Sequence, residues 1–278
     1  MSSIRHAVAE ATDVLAAAGV ASARADAEQL AAHVADVDRG RLFLTDPDDD
    51  FHPRFRELVD ARARRIPLQH LIGSAAFGPV TVGVGPGVFV PRPETESMLE
   101  WALAQPLPDR PVIVDLCTGS GALAVALARA LPTATVIAVD DSPEALAYAR
   151  RNVAGTGVEL VAADVTTDGL LAGRDGAVDL IVANPPYIPD GAELESEVAD
   201  HDPHHALFGG PDGMAVIEPI VAHAVRLLRR GGRVGVEHDD TTSAATVAVF
   251  DRSGAFTDVT PRRDLAGRPR FVTATRAG

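Results

Sequence analysis

One cysteine among 278 residues, Cys117, excludes an intramolecular disulfide and fits a reducing cytosol. No uninterrupted apolar run is long enough to cross a bilayer, and His6 and Glu10 stand where a secretory signal would need an apolar stretch. A cytoplasmic protein with no membrane partner is expected. Basic charge is scarce: 25 Lys and Arg against 39 Asp and Glu give a formal net charge of −14 and a sequence pI near 5.0. A protein that grips a nucleic-acid backbone needs a concentrated basic face, and RNA recognition adds aromatics, here only 4% of residues. The short clusters Arg62, Arg64, Arg65 and Arg226, Arg229, Arg230 read as solvated helix faces, so direct nucleic-acid binding is disfavoured. Metal-ligand spacing is missing too. His201, His204 and His205 read as a solvated loop, and no metal is expected.

What is present is an apolar content of 46%, enough for one large core or two smaller ones. From about Ile4 to Ile66 apolar residues recur at helical spacing, with stripes at Val8, Thr12, Leu15, Ala16 and at Ala27, Leu30, Ala31, Val34. Ser22 or Asp26 could cap the second helix, and Asp48-Asp49-Asp50 precedes a third carrying Phe55, Leu58 and Val59. Residues 1–71 therefore read as a small helical bundle for recognition or support. Residues 72–92 alternate Gly, Val, Phe and Thr around Gly78-Pro79 and Gly85-Pro86-Gly87, which predicts a β-hairpin linker. Residues 93–278 begin with a Pro-stiffened helix entry running to about Ala104. Strands then alternate with helices: 112–116, 135–139, 159–163, 180–183 and 233–237 as strands; 122–130, 143–152 and 214–228 as helices; 255–260 and 270–274 as a closing strand pair. The fold class expected is α/β, a doubly wound, mostly parallel seven-stranded Rossmann-like sheet.

The first strand of this region ends in Asp115-Leu116-Cys117-Thr118-Gly119-Ser120-Gly121, a glycine turn opening an Ala/Leu helix whose free N–H groups can meet a ligand. The second ends in Asp140, placed to accept from both ribose hydroxyls, while Asp141 or Ser142 is available to cap the next helix. The third ends in Asp164, placed to reach an adenine amino group. Adenosine binding leaves a nicotinamide dehydrogenase open, but the third glycine of a G-x-G-x-x-G run is missing and no pyrophosphate feature is evident. The fourth strand delivers Asn184-Pro185-Pro186-Tyr187, for which hydride transfer has no use. Two prolines fix the backbone extended, the Asn oxygen and a proline carbonyl can accept both N–H bonds of a planar amino group, and the Tyr ring can cover its face. S-adenosylmethionine offers adenosine without a pyrophosphate, so the combined pattern reads as an amino-group methyltransferase.

The second region resembles a class I methyltransferase, and the chain as a whole is similar to the HemK/PrmC family of protein-(glutamine) methyltransferases that modify peptide chain release factors. The matching stretches are Arg65–Gly73, Val88–Glu96 with its Pro91-Arg92-Pro93-Glu94-Thr95-Glu96 core, the Asp115 turn, Asn184–Tyr187, Ala206–Gly213 and Asp264–Arg268. Departures are Cys117 where Gly is usual, Asp202-Pro203 where Glu-Pro is common, and Glu237-His238-Asp239-Asp240 in place of a Glu-Ile/Leu-Gly run. The resemblance implies S-adenosyl-L-methionine as cofactor and, as protein partner, class I release factors, methylated on the glutamine of a Gly-Gly-Gln loop. It places the cofactor at Asp115, at Cys117, Thr118, Gly119, Ser120 and Gly121, at Asp140, at Asp164 with Val165, and at Asn184. Catalysis would fall to Asn184, Pro185 and Tyr187, with Pro186, Phe89, Pro91 and Arg92 completing the substrate site. A monomer is expected. A glutamine methyltransferase of a ribosomal protein, an adenine or guanine amino methyltransferase, and a non-catalytic cofactor-binding module are the alternatives.

Overall fold

A computed structural model describes residues 3–278, and its backbone packs as two compact units. One comprises the chain up to Ser74 together with Leu194–His201; the other comprises Ala75–Glu193 and Asp202–Gly278.

The first unit is built from helices Ile4–Ala17, Ala23–Val34, Phe51–Ala63 and Leu68–Ile72, with the helical segment Ser196–His201. Most of the periodic apolar faces are buried as their spacing predicts: Val8, Leu15, Ala27, Leu30 and Ala31 are wholly buried in one core with Leu42 and Phe51, whereas Ala16, placed in the first stripe, is exposed and Thr12 is half-buried. Ser22 precedes the second helix, but its hydroxyl donates to Asp26 Oδ1 at 2.7 Å instead of capping the backbone. One expectation is corrected here. Arg62 is not on a solvated face; it is 5% exposed, and its guanidinium donates to Asp26 Oδ2 and Glu197 Oε2, both at 2.8 Å. A second correction concerns the three histidines. His201 ends one short helix and His204 and His205 open another, His204–Leu207, where no helix was expected.

Next along the chain is a hairpin, β1 (Ser74–Phe77) and β2 (Val80–Gly83), shorter than the 72–92 span that suggested it. The large sheet follows: β3 (Val112–Leu116), β4 (Thr135–Asp140), β5 (Glu159–Ala162), β6 (Val178–Ala183), β7 (Leu228–Glu237), β8 (Phe256–Arg263) and β9 (Pro269–Arg276). Their spatial order is β5-β4-β3-β6-β7-β9-β8, parallel from β5 through β7 and antiparallel at β9 and β8. The seven-stranded, mostly parallel sheet is as expected. Every residue of β6 is buried, because helices cover both faces. Leu180 and Val182 join the core that holds the helices Glu96–Leu103 and Ala122–Ala130; Ile181 and Ala183 join the core that holds Ile217–Leu227 and Ser243–Ser253. The two-residue alternation of a strand therefore divides one apolar run between two cores.

Candidate active site

The chain leaves β3 toward β4 on one side, while β6 and then β7 lie on the other, so the carboxyl ends of β3, β4 and β6 flank the point where strand order reverses. A doubly wound sheet opens its ligand crevice there. In register Leu116 pairs with Val139 and with Ala183, which sets Cys117, Asp140 and Asn184 at three adjacent strand ends.

Backbone and carboxylates together shape the turn after β3. The Thr118 N–H donates to Val139 O at 2.9 Å, and the Gly119 N–H donates to Asp140 Oδ2 at 2.8 Å. Asp140 Oδ1 accepts from the Ser142 N–H at 3.0 Å, and Ser142 caps the helix Pro143–Asn152 as its sequence suggests. Asp115 Oδ2 takes the Thr118 hydroxyl and the Ala124 N–H, while Asp115 Oδ1 is buried with no partner. Burial pushes the Asp115 carboxyl up to about 7 despite those two bonds, and raises Asp140 as well. The Ser120 carbonyl is held by Asn152 Nδ2 at 2.8 Å, and Gly121 takes φ 84° at the start of the helix Ala122–Ala130. Cys117 stands at φ 59°, the left-handed region where glycine is at ease, so the substitution noted in the sequence leaves backbone strain in the turn. Its thiol is raised by burial first and then by the surrounding carboxylates.

Asp164 lies two residues past the end of β5, where Oδ1 accepts from the Thr166 N–H and hydroxyl, both at 2.7 Å, holding the carboxyl below its ordinary value. Val165 points its side chain into the core, and its carbonyl meets His223 Nε2 at 3.1 Å.

At the end of β6 Asn184 Nδ2 is directed to Thr95 Oγ1 at 3.4 Å, which leaves Oδ1 as an acceptor with no donor from the described residues. Pro185 is buried behind it. The Tyr187 hydroxyl donates to Glu237 Oε1, at the end of β7, at 3.1 Å. A second glycine-rich stretch lies directly against this segment. Ile188 N–H donates to Leu207 O and Gly209 N–H to Ile188 O, each at 2.9 Å. A Cβ on Gly209 would come 2.5 Å from Pro186 O, and one on Gly213 would come 2.3 Å from Tyr187 O. Phe89 and Arg92 pack on one another: the Arg92 guanidinium lies 5.1 Å from the Phe89 ring centroid and is ion-paired with Asp202, while Pro91 between them in sequence is half-buried. It is Thr95, from the same segment, that reaches Asn184. The sequence assigns no role to Thr95, Glu237, Gly209 or Gly213, although all four lie inside stretches that the resemblance singles out, Glu237 as part of a departure from it.

Three carboxylates around a glycine turn suit a ligand with hydroxyl, amino and cationic groups, and would repel a pyrophosphate. The buried Asp115 Oδ1 is an acceptor still lacking a donor. These residues fit S-adenosylmethionine, and with this strand order they define a class I methyltransferase. The fold agrees with that of a methyltransferase from Pyrococcus furiosus, matched with a TM-score of 0.55 at 19% identity over 79% of this chain and 100% of that one. Residues 6–73 match the PrmC N-terminal domain and residues 86–201 the methyltransferase small domain. Along 99% of its length and 99% of the relative's, the chain is 69% identical to a release factor glutamine methyltransferase of Mycolicibacterium smegmatis. It is 64% identical to one from Mycobacterium tuberculosis over 99% of this chain and 92% of that protein, and 46% identical to one from Corynebacterium glutamicum over 99% and 100%. The chain belongs to the family of release factor glutamine methyltransferases.

Proposed function

We propose that this enzyme transfers a methyl group from S-adenosyl-L-methionine to the side-chain amide nitrogen of the glutamine in the Gly-Gly-Gln motif of class I peptide chain release factors. The observation that carries this reading is the setting of Asn184: its nitrogen is tied back to Thr95 and its oxygen is left to accept. That is the polarity needed to hold an NH₂ group. The bound cofactor supplies an electrophilic methyl on a sulfonium. Asp140 and Asp164, at successive strand ends, are the acceptors for its ribose hydroxyls and adenine amino group, and Asp115 with residues 117–121 and Val165 complete that half of the site.

A carboxamide nitrogen is a poor nucleophile because its lone pair is shared with the carbonyl. Asn184 Oδ1 and the Pro185 carbonyl accept its two N–H bonds and hold the nitrogen in line for attack, so positioning supplies much of the rate. Accepting from both hydrogens also stabilises the positive charge that develops on nitrogen. Tyr187 lies on the amide plane, and Pro186 keeps the segment extended. Transfer breaks the S–CH₃ bond, leaving a neutral thioether, and first gives an N-methylated amide cation; that cation is strongly acidic, so its proton leaves to water. Phe89, Pro91 and Arg92 border the approach of the polypeptide. Residues 1–71 recognise the protein substrate, 72–92 link, and 93–278 carry out the transfer; the match of residues 6–73 to the PrmC N-terminal domain supports this division. No helix among the described residues is long and apolar enough to cross a membrane. The enzyme works as a cytoplasmic monomer.

The test uses labelled cofactor with a purified release factor, and with the same factor carrying Ala for its Gly-Gly-Gln glutamine. Label on the first alone is expected. Asn184→Ala should lower turnover at least ~100-fold, the scale of losing a preorganised polar contact, with cofactor affinity retained. Label on both factors, or near-native turnover by the variant, would refute the assignment. Label on neither would send the search to ribosomal proteins.

A further inference from the structure

Glu237 is a buried carboxylate that the reaction has not yet used. It ends β7 with 1% of its surface exposed. Oε1 accepts the Tyr187 hydroxyl at 3.1 Å, and Oε2 is buried without a hydrogen-bond partner. In the β7–β9 register Glu237 faces Phe271, so Arg270 sits one residue away; its charge bears on both the Glu237 carboxyl and the Tyr187 oxygen. Arg270 is steadied in turn by Asp264, 3.5 Å from its Nη2, and Asp264 Oδ1 accepts the Arg268 N–H at 2.9 Å to close the Asp264–Arg268 turn. On the opposite side the Thr95 hydroxyl, which receives Asn184 Nδ2, is close enough to offset part of the burial cost of Glu237.

An apolar pair could fill this volume without the desolvation penalty of a carboxylate and a guanidinium, so stability alone does not account for the arrangement. Its geometry points outward instead. The Asp264–Arg270 ion pair sets a positive charge near both the Glu237 carboxyl and the hydroxyl of the one aromatic ring in the Asn184–Tyr187 segment.

We propose that Glu237 is a positioning residue for methyl transfer: by holding the Tyr187 hydroxyl at 3.1 Å it fixes the plane of the ring against which the target amide lies, while Arg270, paired with Asp264, sets a favourable charge near it. The inference rests on reading Asn184–Tyr187 as the amide site. It gives the Asp264–Arg268 turn a part in turnover through the Asp264–Arg270 ion pair.

The experiment is a double-mutant cycle on the whole enzyme, with release-factor methylation, cofactor affinity and thermal unfolding measured for each variant. Glu237→Gln keeps the volume and removes the charge, and Glu237→Asp keeps the charge and withdraws it by one methylene. Each should lower kcat about 10-fold, the worth of a hydrogen bond to a charged group, with cofactor affinity unchanged. In a Tyr187→Phe background the same substitutions should cost less than about 2-fold, because the bond they weaken is already gone. Equal losses in both backgrounds, or wild-type kcat in either single variant, would overturn the positioning role. That failure is distinct from failure of the functional reading, in which the wild-type enzyme itself puts no label on a release factor.

Discussion

Gly209→Ala isolates one steric contact at the proposed amide site. The added methyl would stand 2.5 Å from Pro186 O, 2.9 Å from Gly213 O and 3.1 Å from the Gly213 carbonyl carbon. All three are backbone atoms, so no side chain can swing aside, and Gly209 is not among the positive-φ residues, so the cost is steric and not conformational. Overpacking of this kind costs about 1–3 kcal/mol. For a chain of this size that is a melting temperature about 2–10 °C lower. The displacement must also reach Pro186, two residues from Asn184, and a shift of ~1 Å at a catalytic group can cost ~100-fold in rate. Gly40→Ala is the control: Gly40 is exposed, has nothing within 4 Å of the added Cβ, and is not in the left-handed region, so no loss of stability or activity is expected. Thermal unfolding and release-factor methylation are measured on both. Native kcat and melting temperature in Gly209→Ala would refute the claim that this loop sets the Pro-Pro segment.

Cys117→Gly removes a side chain from a residue at φ 59°, and should stabilise the chain by ~1 kcal/mol, read as a higher denaturant midpoint at unchanged slope; a lower midpoint would show that the thiol's packing outweighs the strain. Arg62→Ala leaves Asp26 and Glu197 without their shared guanidinium and should cost ~3–5 kcal/mol, whereas loss below 1 kcal/mol would mean the ion pairs are solvated. Asp115 and Glu237 both have carboxyls raised to about 7 by burial, so the folded state binds more protons than the unfolded one between roughly pH 4 and 7. The stability they confer is full below that window and falls as pH rises through it. Asp115→Asn should remove a decline of up to ~4 kcal/mol across the window in urea titrations at several pH values, and an unchanged slope would show that Asp115 is ionised throughout.

The sheet was legible because its strands are short apolar runs separated by helices whose caps and periodicity survive in the final structure. Ser142 before Pro143 and the all-buried run Val178–Ala183 are examples. The segment 188–213 was not. Its helices, Ser196–His201 and His204–Leu207, are too short to show a period, and their neighbours come from distant parts of the chain. Arg62 misled for a related reason: an arginine among arginines reads as surface until its acids, 36 and 135 residues away in sequence, are brought beside it. At the candidate site, the residues proposed to bind were chosen from their chemistry, and the residues that hold them could not be. Asn184 announces an acceptor; Thr95 acts on it across 89 residues, and Glu237 reaches Tyr187 across 50.

That division has a physical origin in the two prolines. Pro185 and Pro186 carry no N–H, so the backbone at the most constrained point of the site cannot be secured by donating to a neighbour. It has to be held through side chains on either side and by surfaces pressed against its carbonyls. Thr95 takes Asn184 and Glu237 takes Tyr187, one at each end of the pair. The remaining contact is the loop that carries Gly209 and Gly213, which comes near enough to the Pro186 and Tyr187 carbonyls only because neither residue has a Cβ. Just past the prolines, the Ile188 N–H donates to Leu207 O, at the start of that loop. On the proposed reading, a rigid amide-binding segment made from two prolines therefore demands a helix-entry threonine, a strand-end glutamate and a glycine-rich loop from three other parts of the chain, and a substitution in any of them should appear at Asn184 before it appears in the fold.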